Sequence, residues 1–152
     1  MTFSPQEFLE PLQLAASQLE RAQALYKGEK YKEAYEVAKQ VEDTVEEAYK
    51  SFIGVLKQTL TQIARSLKEE AKEEFLKEFL ENTLHQIEGI RETADPEMLN
   101  QLIDLSYQLI IASKAVQAPV LEEKLRELVK QLETLRTNIE ALNQTYQQLQ
   151  RA

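Results

Sequence analysis

Residues 119–150 read PVLEEKLRELVKQLETLRTNIEALNQTYQQLQ. Within them Leu121, Leu125, Leu128, Leu132, Leu135, Ile139, Leu142, Tyr146 and Leu149 follow one another at steps of four and three. That spacing puts every one of these side chains on one face of an α-helix. The stripe is narrow and heptad-spaced, the form of a coiled-coil seam rather than of a broad core-facing surface. At about 1.5 Å per residue such a helix is about 48 Å long, whereas the shorter helices read elsewhere in the chain reach only about 33 Å. The seam around Leu142, Tyr146 and Leu149 is therefore a candidate interaction surface. Its flanking residues, Asn138, Asn143 and Thr145, are uncharged and do not repel an identical copy. Two uses are open: a homodimer or a partner's helix on this overhang, or its coverage within one chain by a long second helix.

Working back along the chain, Pro119 and Pro96 each mark a helix start, and Asp95-Pro96 has the N-cap and N1 pairing. Between them Met98, Leu99, Leu102, Ile103, Leu105, Tyr107, Leu109, Ile110, Ile111, Ala112, Ala115 and Val116 cover more than one helical face. A helix apolar nearly all round is buried, so this segment is expected at the centre. Further back, Phe75, Leu76, Phe79, Leu80, Leu84, Ile87 and Ile90 form another stripe, as do Tyr31, Ala34, Ala38, Val41, Val45, Ala48, Phe52 and Val55, continued by Leu56, Leu60, Ile63 and Leu67. Phe8, Leu12, Ala15, Leu19, Ala22 and Tyr26 mark the first helix. Sustained period-two alternation is missing, which leaves no place for a sheet.

The fold expected is all-α: one domain over residues 1–152, an antiparallel bundle of five helices near 6–27, 30–65, 67–93, 96–117 and 119–150. Ser66-Leu67-Lys68-Glu69 has capping-box form and places the break between the second and third helices near 64–69. The alternative is four helices, with one very long second helix through this region. Tyr26, Gly28, Tyr31, Ala34 and Ala38 resemble the turn of a tetratricopeptide helical hairpin, with the glycine one place early and no second copy following. The resemblance implies a close antiparallel hairpin at this point.

Acidic residues outnumber basic ones, 26 to 18, for a formal charge of −8. This disfavours nucleic acid, since phosphate binding needs a basic face. Some 43% of residues are hydrophobic, yet the longest strongly apolar stretch, Leu109-Ile110-Ile111-Ala112, is far too short to span a bilayer. No membrane insertion is expected, and the location expected is cytoplasmic, unless the chain is a piece of an exported or membrane protein.

Chemistry-bearing motifs are sparse. With one histidine, His85, and no cysteine, no closed transition-metal site can be built, and a carboxylate-bridged di-metal bundle is excluded by count. His85 falls off the apolar stripe of its helix and is read as a surface residue. Glu69, Glu70, Glu73, Glu74, Glu78 and Glu81 alternate with Lys68, Lys72 and Lys77 as a solvated face. Three isolated glycines make no phosphate loop, so neither a cofactor nor catalysis is expected. Tyr26, Tyr31, Tyr35 and Tyr49 are a candidate aromatic groove for a peptide or small ligand. The function expected is a non-enzymatic binding or scaffolding module that works through helix–helix contacts. The alternative is a sensory or ligand-binding helical domain of a larger receptor or permease, which needs a polar-lined internal pocket.

Overall fold

Leu19, Leu60, Leu80, Leu102, Leu109, Leu125 and Leu132 are the anchors of a single core to which every helix contributes. The computed structural model describes the backbone of residues 6–93 and 95–151, and the side chains of 10–93, 95–141, 143, 144 and 147. Five helices follow one another: α1 (Gln6–Lys27), α2 (Tyr31–Glu70), α3 (Glu74–Glu88), α4 (Pro96–Ala115) and α5 (Pro119–Arg151). Among the described residues none of them is long and apolar enough to cross a membrane.

The break between α2 and α3 lies at residues 71–73, not at 64–69. Ser66 and Glu69 stay helical because Leu60, Ala64, Leu67 and Ala71 extend one buried stripe, and ending the helix earlier would take Leu67 and Ala71 out of the core. At Ala71 the backbone turns extended, with its N–H on the Leu67 and Lys68 carbonyls. α3 also stops short of residue 93. Gly89 caps it, and Ile90 folds into the core at 4% exposure. The Lys57 ammonium, from mid-α2, donates to the carbonyls of Ile90 (2.6 Å) and Glu88 (3.4 Å), which a helix C-terminus leaves without intrahelical partners. Lys68 on α2 pairs with Glu81 on α3 across the same interface. That contact, first as a hydrogen bond and then as a charge, holds the Glu81 carboxyl below its usual range.

Two of the turns share one device. At the end of α1, Lys30 donates to the Leu25 carbonyl and Glu29 to that of Tyr26. At the end of α4, Ala118 donates to Ser113 and Gln117 to Lys114. This is the Schellman pattern, which requires a left-handed residue just past the helix. Glu29 (φ 64°) and Gln117 (φ 57°) take that conformation. Gly28 precedes the left-handed position, which is why the glycine of the hairpin pattern falls one place early.

α1 packs on the first part of α2, and α3 returns along its second part. α4 packs against α2, α3 and α5, as its all-round apolar pattern requires. Its outward side still shows Tyr107 and Ile111, at 45% and 63% exposure, and the Tyr107 hydroxyl donates to Glu133 of α5 at 2.7 Å. α5 runs antiparallel to α4: Tyr107 meets Glu133, and Asn100 meets Arg136 at 3.2 Å. Beyond that point α5 lies against α1, with Asn138 and Ala141 facing Leu12, Ala16 and Leu19. The two shorter helices α4 and α1 thus follow one another along α5. Leu135 and Ile139 of its seam are buried, and these two helices pack closely along it. Three residues of the expected α2 and α3 stripes face solvent: Tyr31 (54% exposed) at the first position of α2, Val55 (39%), because the α2 stripe shifts to Ile53 and Leu56, and Phe75 (67%), which is turned away from the buried face that Leu76 occupies.

Candidate functional site

α4 is wedged against both α2 and α5, but α2 and α5 are not themselves closely packed along their length. A groove of about 690 Å³ opens between them. Its floor is apolar: Ile63 and Leu121 are half-buried, and Leu128 is buried. Val120 stands on the rim at 67% exposure. The α2 wall carries Thr59, Gln62 and Ser66, all uncharged, and the Thr59 hydroxyl is turned onto the Val55 carbonyl (3.1 Å). The α5 wall carries Glu123, Lys124 and Glu127, all exposed. From Val120 to Gln131 the groove follows α5 for about three helical turns.

Other hollows are of a different kind. The one between α2 and α3, about 630 Å³, is walled by Arg65, Lys68, Lys77, Glu81 and Glu88, which largely neutralise one another. A smaller one, about 350 Å³, lies beside Lys57, Gly54 and Glu92. Among the described residues the buried polar side chains are Thr83, Ser106 and Ser113, and each hydroxyl is satisfied within the bundle. Also among the described residues, no group of three or more His, Asp or Glu is placed to hold a metal ion. His85 is on the surface, 3.6 Å from Glu81 and 3.9 Å from Glu88.

The four tyrosines do not form one groove. Tyr26 and Tyr31 meet edge to face across the α1–α2 turn, with centroids 5.0 Å apart. Tyr35, 66% exposed, follows Tyr31 by one turn. Tyr49 lies about 27 Å along α2 from Tyr31 and is buried, at 3% exposure. Its hydroxyl donates to the Asp95 carbonyl (3.1 Å) and accepts from the Leu99 N–H (3.2 Å), so it sits inside the first backbone hydrogen bond of α4. It is a joint between α2 and α4 rather than part of a ligand surface. The side chains of Leu142, Tyr146 and Leu149 lie outside the described residues; the backbone carries all three on α5.

Sequence reading assigned Ile63, Leu121 and Leu128 to the core stripe and missed the groove. The signal was the adjacent pair Val120-Leu121, which widens the stripe at the start of an otherwise narrow seam.

No family model, no curated protein and no solved structure matches this chain.

Proposed function

We propose that this chain is a non-enzymatic binding or scaffolding module that engages other proteins through helix–helix contacts. The observation that carries the reading is the α2–α5 groove, with its apolar floor, polar walls and length of about three turns. Those are the requirements of a helix-in-groove interface, in which an amphipathic helix lays anchors at i, i+3 or i+4 and i+7 onto apolar floor residues.

The test is comparative capture from the source cell, followed by mass spectrometry, with the intact chain and with Val120→Asp as baits. Val120 is on the rim, so the substitution leaves the fold in place, which a thermal melt checks. Proteins held in the groove are expected to fall in recovery with the variant, because an apolar rim contact is replaced by a carboxylate that binding would have to desolvate. Equal recovery of every captured protein by both baits overturns the groove as the contact surface.

We propose a second contact surface at the far end of α5. The helix continues to Arg151, well past Ala141, and its stripe carries Leu142, Tyr146 and Leu149. An uncharged seam of this kind pairs with a second copy. Light scattering of the intact chain at high micromolar concentration is expected to show a dimer that Leu142→Glu with Leu149→Glu dissociates. A monomeric intact chain, or a dimer unaffected by both changes, removes this surface.

A further inference from the structure

The charges around the α2–α5 groove are lopsided. Glu123 and Glu127 stand one turn apart on its α5 wall, a like-charge pair at i, i+4 that repels itself. Arg126, which could reach back between them, is engaged instead by Glu122, at 2.9 Å. Among the described residues neither Glu123 nor Glu127 takes part in an ion pair, and Lys124 is the one cation on this wall. The lining of the groove therefore carries two carboxylates against a single ammonium.

We propose that the occupant of this groove is an amphipathic helix of a partner protein whose apolar stripe is flanked by lysine or arginine on the side that meets α5. The inference rests on the groove reading above and adds the polarity of the partner to it. The apolar stripe supplies the contact with Ile63, Leu121 and Leu128. The basic flank relieves the repulsion between Glu123 and Glu127. It also selects against helices that carry acidic residues there, since like charges set face to face reject the wrong partner. The chain's overall charge of −8 adds long-range attraction of the same sign, which salt screens more strongly than it screens close pairs.

The test uses three synthetic helical peptides with one leucine stripe and a lysine, glutamine or glutamate flank. They are titrated into the full chain at physiological salt, with methyl resonances of Ile63, Leu121 and Leu128 as the readout. The lysine peptide is expected to bind about tenfold more tightly than the glutamate peptide and to shift those three methyls. Glu123→Lys with Glu127→Lys is expected to reverse the order. Glu33→Lys with Glu36→Lys, far away at the start of α2, makes the same change in net charge and is expected to leave the order intact. If all three peptides shift the groove methyls with equal affinity, the basic flank is wrong and the groove reading stands. If the distant pair of substitutions abolishes the preference as fully as the rim pair does, the attraction is one of net charge and the proposal fails. If no peptide, the neutral one included, shifts these methyls at millimolar concentration, the groove reading falls as well.

Discussion

Leu109→Ala lowers the unfolding free energy by about 2–5 kcal/mol, the cost of removing three buried carbons and leaving part of the space empty. Leu109 has no exposed surface and sits in the second half of α4, the helix that packs against α2, α3 and α5. Leu105, one turn earlier, is buried at 4% exposure, so the neighbourhood is crowded on several sides and cannot close over a void by moving one helix. Urea unfolding followed by circular dichroism checks it, with a lower midpoint and an unchanged slope expected. A loss below about 0.5 kcal/mol, the size of an ordinary surface substitution, removes α4 from the centre of the bundle.

Tyr49→Phe costs about 1–3 kcal/mol, the penalty for leaving buried hydrogen-bonding groups without a partner. The buried ring holds its place, so the lost hydroxyl strips the Asp95 carbonyl of one donor and leaves the Leu99 N–H facing carbon. The same group makes stability depend on alkaline pH. Burial pushes the Tyr49 phenol up from 10.0 to about 12; the Leu99 N–H pulls it back in part and the Asp95 carboxylate adds to the rise. A phenol kept neutral by folding contributes stability that is fully present below the unfolded value of 10.0 and is lost as the pH rises through about 12. The stability gap between the intact chain and Tyr49→Phe is therefore expected to hold constant up to about pH 10 and to narrow above it. Thermal melts of both chains across that range measure the gap. A gap that stays constant to pH 12 refutes the assignment.

Much of the fold was legible because a helix writes its own period. The seam from Leu121 to Ile139, the Asp95-Pro96 start and the all-round apolar α4 are local statements, and each stands in the structure where its residues put it. Boundaries failed where a local signal competed with burial. Ser66-Leu67-Lys68-Glu69 has the chemistry of a helix start, but two further turns of α2 keep Leu67 and Ala71 in the core. At Gly28 the local signal was displaced by one residue, since the hydrogen-bonding pattern of the turn, not the glycine, selects which residue becomes left-handed.

The candidate site was not legible in this way. Tyr26, Tyr31, Tyr35 and Tyr49 share a residue type, yet a helix of about 60 Å spreads the last three along its length and turns Tyr49 inward onto the start of α4. Ile63, Leu121 and Leu128 are far apart in the chain and look like any other stripe residues. Helical identity, inward faces, net acidity and the lack of cysteine follow from composition and from periods of three and four, which depend on neighbours within a turn or two. Which helices touch, and where two of them stay apart, depends on residues many turns distant. A wedge such as α4 can hold α2 and α5 apart without changing the pattern of either, so the groove exists only in the assembled bundle.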